Sequence, residues 1–446
     1  MVAALPITLV PPAFAQGPDL QRGTGVFGRE TPAPESRQAL DLTVSLTAAY
    51  DDDVSEAPRA LANELFGRQS IVQSNQLLGN ADYQLQSRDV DLRANARSAV
   101  RHNRENGVIS PISHAAAIGV TAMLPYRTSF VVNQTGTYSP SYLYNLLPNM
   151  SLAGTVDAPI AGEAPAAAPD YVVQGFESFS LGTQATLTHE ITRRSIVLAT
   201  TDLQHTDYWG SSVEQTDPGW RSISAGFRRT MTRNTRASAR YLYRIGNFPY
   251  AAGSLTTGTS KEHGLEIGVN HIRPRSSTRR MIFDVSLGSS LVSRPMVLTD
   301  LRPPDPSHRL IGQFSAAYTF GKSWQAGAMY RRGVDFVPGL TEPVETDGAT
   351  ARIDGLLTPR LDAMVSAAYL SGDAVFNNTT DTFDTYTGTV RLRYAVARTV
   401  AAYVEYLYYF YDFHGYPHLV PGVPPTFERN GVRAGLTLLI PAIRNK

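Results

Sequence analysis

The stretch Val432-Arg-Ala-Gly-Leu-Thr-Leu-Leu-Ile440, followed by Pro441, decides the fold of this chain. Its apolar set is Val432, Ala434, Leu436, Leu438 and Ile440, and the intervening set includes Arg433, Gly435 and Thr437. Successive side chains of a β-strand point to opposite faces of the sheet, so the stretch is predicted to be a strand with one apolar face. Proline cannot donate to a sheet ladder, and we therefore expect the strand to end at Pro441.

The order of a polar residue, a glycine and alternating apolar residues at this end resembles the C-terminal signature of bacterial outer-membrane β-barrels. Their assembly machinery reads that last strand. The resemblance assigns the assembly signal to Gly435, Leu438 and Ile440 and implies the barrel assembly machinery as a partner. Ile440 stands where that family usually has an aromatic residue. The implied fold is all-β, a transmembrane antiparallel up-and-down β-barrel in the bacterial outer membrane.

Composition agrees with a barrel in a lipid bilayer. The 446 residues are 42% hydrophobic and 18% charged, and mean hydropathy is −0.18. A run of about 20 apolar residues is missing, which excludes a transmembrane helix. Cysteine is absent, so thiol chemistry and cysteine metal sites are excluded. Tyrosine, with 22 copies, suits a membrane–water boundary.

The cationic residues are almost all arginine. Lysine occurs only at Lys261, Lys322 and Lys446, so 37 of the 40 cationic residues are arginine. A GC-rich genome and a functional demand for guanidinium groups explain this preference equally well.

The N-terminus predicts export. Residues Val2 to Ala15 are apolar and end in Ala13-Phe14-Ala15, the small-x-small pattern that precedes signal cleavage. No basic residue stands before this run, and an ordinary apolar N-terminus is the alternative. We expect a signal-peptide remnant at 1–15, a disordered periplasmic leader at 16–37, the barrel at 38–441 and a short tail at 442–446.

Short polar turns alternate with long loops along the rest of the chain. The eight predicted turns are Arg88-Asp89, Pro125-Tyr126, Thr192 to Arg194, Thr232 to Asn234, Pro274 to Arg279, Gly321 to Ser323, Pro359-Arg360 and Ala397-Arg398. The nine predicted loops are 51–77, 102–113, 140–174, 208–218, 249–262, 294–308, 338–347, 378–384 and 413–427. Together they join about 18 strands, with both chain ends on the short-turn side, the periplasmic side of such barrels.

Alternation along single strands indicates which face meets lipid. In the run 235–248, Tyr241 and Tyr243 share a face opposite Arg240 and Arg244. A charged side chain facing the bilayer midplane costs about 2–4 kcal/mol, so the charged face is expected to line the lumen. A soluble β-sandwich or propeller would also alternate, but one unbroken series of strands favours the barrel. The expected outer aromatic girdle is Tyr241, Tyr243, Tyr406, Tyr408 and Phe410.

Collecting the inward residues predicts an arginine-rich lumen. The cations are Arg93, Arg97, Arg101, Arg228, Arg240, Arg244, Arg331, Arg352, Arg391, Arg393 and Arg433. The acidic partners are Asp91, Glu266, Asp284, Asp354 and Glu405. Guanidinium groups bind carboxylate and phosphate oxygens, so such a wall would form a path for anions. The alternative, a ladder in which arginines and carboxylates only satisfy each other, has equal weight.

Two loops carry further hypotheses. Loop 140–174 has a large apolar content and is expected to fold over the mouth of the barrel and constrict it. Asp51-Asp52-Asp53 is either a divalent-cation site or, by preference, the solvated start of a loop.

Signs of catalysis are weak. The nine histidines have no metal-ligand spacing, and His189–Glu190 and His205–Asp207 adjoin strand ends where polar residues are common. A nucleophile elbow or a phosphate-binding loop is not visible. We expect no catalytic residue, no metal, no cofactor and no nucleic-acid partner.

The resulting functional expectation is an outer-membrane channel for anionic or saccharide solutes. Its size and arginine-rich lumen look similar to barrels associated with exopolysaccharide export, and porins of 16 to 18 strands are nearly as close. Expected partners are the lipid bilayer, lipopolysaccharide and, for export, polysaccharide-export proteins. The alternative is a plugged structural or docking barrel whose external loops bind a partner.

Overall fold

A computed structural model describes residues 37–51, 72–103, 109–139, 177–209, 219–249, 257–276, 279–293, 305–321, 323–337, 340, 342–376, 382–413 and 426–445. The expected signal remnant and most of the leader lie outside these residues. The same is true of Asp52, Asp53 and loop 140–174. In the described part of the chain there is no helix long and apolar enough to cross a membrane.

Eighteen antiparallel strands form one closed sheet, as predicted. Each strand pairs with its neighbours in sequence, and β1 pairs with β18 to close the barrel. The strands are β1 (Gln38–Asp51), β2 (Val72–Gln86), β3 (Val90–Asn103), β4 (Ile109–Leu124), β5 (Thr128–Ser139), β6 (Glu177–Thr192), β7 (Ser195–Trp209), β8 (Gly219–Thr230), β9 (Thr235–Pro249), β10 (Thr257–Ser276), β11 (Arg279–Val292), β12 (Ser307–Phe320), β13 (Trp324–Asp335), β14 (Val344–Thr358), β15 (Leu361–Ala374), β16 (Thr382–Ala395), β17 (Val400–Asp412) and β18 (Thr426–Asn445).

Short connections alternate with long ones, and each predicted turn falls between the expected pair of strands. Pro359-Arg360, for example, is the whole connection between β14 and β15. Several strands run further at their loop-side ends than predicted, since β1 includes Asp51 and β2 begins at Val72. The polar turn residues therefore indicated correctly which strands are connected by short turns. The predicted boundaries of the long loops were less accurate.

The last strand does not end at Pro441, which corrects the sequence-based expectation. β18 continues to Asn445, so most of the expected tail 442–446 is strand. Leu40 pairs with Ile443 and Asp41 pairs with Pro441, which leaves Ala442 as the extra residue of a β-bulge. A bulge interrupts the ladder, and proline is tolerated at such a position because its missing N–H is not required there.

The outer face of the barrel is a band of exposed apolar side chains. Leu265 is 59% exposed, Ile267 64%, Leu310 68% and Leu436 55%. On β10 these apolar residues alternate with Glu262 and Glu266, which face inward toward arginines of β9. A closed sheet with an apolar exterior satisfies its backbone internally and presents hydrocarbon-compatible side chains to lipid. The chain is an outer-membrane β-barrel.

At the closing seam, where β1 pairs with β18, the side chain of a tyrosine extends across strand β18. Tyr403 on β17, Gly435 on β18 and Thr47 on β1 lie side by side on the inner face. The Tyr403 ring covers Gly435, where an added Cβ would lie 2.8 Å from the ring and 2.6 Å from the Leu46 carbonyl oxygen. The Tyr403 hydroxyl then bonds to the Thr47 hydroxyl. Gly435 is therefore needed for close approach at the seam, a structural demand separate from its expected role as an assembly signal.

The turn between β4 and β5 carries backbone strain. Tyr126 and Arg127 have φ values of 61° and 57°, in the left-handed region that side chains with a Cβ disfavour. Both lie at the centre of a tight hairpin, where this conformation matches the twist of the flanking strands.

Replacing Tyr126-Arg127 by Asn-Gly is expected to raise the free energy of unfolding by about 1–2 kcal/mol, because both new residues adopt positive φ at lower cost. Urea unfolding followed by tryptophan fluorescence measures the change. Arg193-Arg194 is the matched control, since neither residue has a positive φ and the same replacement should bring no gain. Equal effects at the two turns would contradict the strain argument.

Candidate solute path

The strand register places every arginine predicted for the lumen on the inner face. Cross-strand neighbours share a face, and Arg240 lies beside Glu266, Arg391 beside Glu405, and Glu405 beside Arg433. The predicted acidic residues Asp91, Asp284 and Asp354 also lie on this face.

The lumen is less one-sided in charge than the sequence analysis expected. Glu262, Asp335 and Asp362 also face inward, and each forms an ion pair with a predicted arginine. The sequence analysis placed Glu262 in a loop and did not assign Asp335 or Asp362 to the lumen. The expected excess of eleven cations over five anions on the inner wall is therefore wrong.

Separate ion pairs occur at many places on the inner wall. They are Arg93–Asp91 (3.0 Å), Arg240–Glu266 (2.5 Å), Arg244–Glu262 (3.4 Å), Arg331–Asp335 (2.7 Å), Arg352–Asp354 (2.8 Å), Arg393–Asp362 (2.8 Å) and Arg433–Glu405 (4.0 Å). The ladder alternative of the sequence analysis thus describes most of the wall. Arg97 differs, since its guanidinium bonds to the Asn80 side chain at 3.3 Å.

Arg391, like Arg97, stands outside this ladder. Within the described part of the chain its guanidinium has no carboxylate within 4.0 Å, and its Nε is buried without a hydrogen-bond partner. The adjacent cations are Arg393, two residues along β16, and Arg433, on the far side of Glu405. Glu405 is thus the one carboxylate between Arg391 and Arg433, at 4.0 Å from Arg433. Arg391 is therefore a lumen-facing guanidinium without a close carboxylate partner in the described part of the chain.

The lumen is narrowed at the loop-side end of β13 and β14 by the described residues 334–337, 340 and 342–346, called here the folded-in segment. The ring of Phe336 lies against the inner face of β9, because a Cβ on Gly246 would meet that ring at 2.4 Å. Strands β10, β11 and β12 separate β9 from β13 in the sheet, so this contact requires Phe336 to project into the lumen and reach over three strands.

Apolar and cationic contacts hold the folded-in segment to the inner face of β9, four strands away from β13. Phe336 packs edge-on against Phe248 with ring centroids 5.2 Å apart, in a buried cluster with Val292, Val334 and Val375. The Arg244 guanidinium lies 5.1 Å from the Phe336 ring and donates a hydrogen bond to the Val334 carbonyl at 3.1 Å.

A second arginine anchors the far side of the folded-in segment. Arg309 on β12 pairs with Glu345 at 3.1 Å, and Glu345 also pairs with Arg332 at 2.7 Å. Glu345 is only 6% exposed. The expected constriction by loop 140–174 lies outside the described residues, and the folded-in segment is a constriction that the sequence analysis missed.

The aromatic run of β17 divides between the two faces. Tyr406, Tyr408 and Phe410 point outward, where the sequence analysis placed the girdle, and Tyr241 and Tyr243 do so on β9. Tyr409 and Tyr411 point inward and are 2% and 0% exposed. Their alternation with the girdle residues in sequence was the signal available for finding them.

The remaining sites considered from sequence have structural partners. Asp51 is not the solvated start of a loop, because it pairs with Arg429 at 2.6 Å and is buried. His205 and Asp207 form an exposed pair at 2.8 Å on the outer face of β7, away from the lumen. His189 bonds to the Thr128 hydroxyl at 2.9 Å.

No known protein family matches the chain, and no curated protein matches it. Among solved structures it is similar to OprD of Pseudomonas aeruginosa, with 12% identity, a TM-score of 0.41, and coverage of 92% of this chain and 98% of that one. Pseudomonas aeruginosa OpdL gives 15% identity and a TM-score of 0.41 over 92% and 100% of the two chains. Pseudomonas aeruginosa OccK2 (OpdF) in complex with glucuronate is similar with 10% identity and a TM-score of 0.42. The similarity covers 91% of this chain and 98% of that one.

These identities and TM-scores are low. The architecture is therefore established by the strand pairing of this chain. Eighteen antiparallel strands close on themselves around a polar interior, which is the arrangement of porins. The chain is a porin-like outer-membrane β-barrel.

Proposed function

We propose that this barrel is a passive outer-membrane channel for small anionic solutes, with carboxylates and acidic sugars as the preferred class. The observation that carries the proposal is Arg391, which faces the lumen without a carboxylate partner in the described part of the chain. A guanidinium offers several N–H donors in a planar arrangement that matches a carboxylate.

The ion-pair ladder sharpens the role of Arg391. Where an arginine pairs with a carboxylate, the two charges largely cancel and a passing anion gains little. Beside Arg391 the wall keeps net positive charge, because Glu405 is shared with Arg433. In a lumen of limited width such a charge raises the local concentration of anions.

The folded-in segment gives the channel a second selective element. It places Phe336 and Val334 inside the loop-side end of the lumen, next to the Arg244 guanidinium. A passage narrowed in this way favours small solutes over an extended polymer. We therefore do not extend the proposal to exopolysaccharide export.

Replacing Arg391 by glutamine is expected to abolish most of the anion preference, since it removes the unpaired cation and leaves Glu405 to Arg433. The measurement is the reversal potential in planar bilayers under a salt gradient, together with the block of current by glucuronate against glucose as the neutral sugar. Arg221→Gln is the matched control, because Arg221 lies on the outer face of β8.

Three results decide the proposal. An unchanged reversal potential in Arg391→Gln would contradict the assignment of this residue to the path. A wild-type barrel that passes no current would favour the plugged structural or docking barrel over a channel. Equal current block by glucuronate and glucose would remove the preference for acidic sugars.

A further inference from the structure

The two ends of the barrel differ in charge although the whole chain is nearly neutral at +1. The segments between strands on the short-turn side contain eight basic residues and one acidic residue, Asp89. The long segments on the other side contain fourteen acidic and five basic residues. The short-turn end is therefore strongly cationic and the loop end anionic.

The turn arginines surround the whole circumference. Exposed arginines occur in or directly beside seven of the turns between described strands: Arg88, Arg127, Arg193, Arg194, Arg233, Arg275, Arg279, Arg360 and Arg398. The remaining turn, between β12 and β13, contains Lys322 in the sequence. A single compact protein partner would cover one sector of such a ring, whereas a membrane surface meets all sectors at the same depth.

These guanidinium groups differ from most of those in the lumen, because the described residues offer them no partner. Lumen arginines pair with carboxylates at distances such as 2.7 Å for Arg331–Asp335 and 2.8 Å for Arg393–Asp362. In the described structure, no side chain of the turn arginines forms an ion pair or a hydrogen bond with another residue. They are free to bind an external anion.

Exposed apolar residues stand next to the same arginines and fix their depth in the membrane. Ile191 is 55% exposed, Met231 57%, Leu357 52% and Val396 56%, and each lies two or three residues from a turn arginine. Apolar side chains here end the lipid-facing band, so the neighbouring guanidinium groups lie at the level of the lipid headgroups. Long cationic side chains extend their charge to that level while their stems stay in hydrocarbon.

We infer that this cationic ring binds the phosphate groups of anionic phospholipids in the periplasmic leaflet of the outer membrane. Arginine binds phosphate oxygens through two parallel N–H donors, and the attraction of basic residues to an anionic leaflet adds up over the ring. The ring thereby sets the depth of the barrel in the membrane and gathers anionic lipid around its periplasmic rim.

The experiment uses the full-length barrel released from nanodiscs that contain equal amounts of phosphatidylglycerol and phosphatidylethanolamine with identical acyl chains. Native mass spectrometry counts the two lipids that remain bound. In the variant Arg127→Gln, Arg193→Gln, Arg233→Gln, Arg360→Gln, we expect the ratio of bound phosphatidylglycerol to phosphatidylethanolamine to fall roughly tenfold. The matched variant with lysine at the same four positions keeps the charge and is expected to keep most of the preference.

An unchanged lipid ratio in the glutamine variant would overturn the inference, as would the absence of any lipid preference in the unmodified barrel. The shift in gel mobility on heating shows whether the variant is folded. If it is not, the unmodified barrel decides the question through its thermal midpoint in nanodiscs with and without phosphatidylglycerol. A stabilisation by phosphatidylglycerol that high salt removes supports the inference, and equal midpoints overturn it.

Discussion

Replacing Asp51 by alanine is expected to lower the free energy of unfolding of the barrel by about 3–5 kcal/mol. Asp51 on β1 and Arg429 on β18 form an ion pair of 2.6 Å at the loop-side end of the closing seam. Their side chains are only 2% and 3% exposed. Without the carboxylate, the buried guanidinium loses its ion pair of 2.6 Å, and this loss acts where the first and last strands meet.

Asp41→Ala is the matched control at the opposite end of the same seam. Asp41 pairs with Arg444, but the two side chains are 15% and 36% exposed. Water and salt screen this pair, so its loss is expected to cost about 1 kcal/mol or less. Unfolding in guanidinium chloride followed by tryptophan fluorescence compares the two. The double variant Asp51→Ala, Arg429→Met should recover much of the loss, because no charge then remains buried. Similar small effects at both ends would refute the argument.

Replacing the folded-in residues 336–343 by an Asn-Gly turn is expected to raise single-channel conductance severalfold. Phe336 projects into the loop-side end of the lumen, where it lies on Gly246 and packs against Phe248. Removal of these residues removes the packing of Phe336 in the aromatic cluster and its cation–π contact with Arg244. The passage is then bounded by the strands alone and is wider.

The single change Phe336→Ala should act in the same direction with a smaller effect, since Val334 and the Glu345–Arg309 ion pair still hold the segment. Phe410→Ala is the matched control, because Phe410 lies on the outer face of β17 and should leave conductance unchanged. Recordings in planar bilayers give the values. A shortened barrel that conducts like the wild type would show that the narrowest point lies elsewhere.

Strand count and strand connections were predictable because hairpins are local. Pro359-Arg360 joins β14 to β15 over two residues, and the flanking runs alternate with a period of two. Turn residues and alternation are both read from neighbouring positions, and alternation also decides which face carries charge. The inner position of Arg240 and the outer position of Tyr241 follow from that rule alone.

Asp91, Glu266, Asp354 and Glu405 were expected as partners of the lumen arginines, but the partners at strand ends were not predictable, since they depend on which strand ends lie side by side. Glu262 was assigned to a loop from sequence, yet β10 extends past it and places it beside Arg244. The same limit applies at Pro441, where local chemistry predicts an end but pairing with β1 carries the strand on through a bulge. Cross-strand register and bulges are decided by the closed sheet as a whole.

The sequence by itself determined an eighteen-stranded barrel, its inner and outer faces and the charge of its turns, because these depend on residue types at local spacing. Tertiary structure alone decided which lumen arginines lie beside a carboxylate, that Arg391 does not, and that Phe336 projects into the lumen. The physical reason is that such contacts depend on the register of paired strands and on residues far apart in the chain, such as Phe336 and Gly246. The folded sheet brings those groups together.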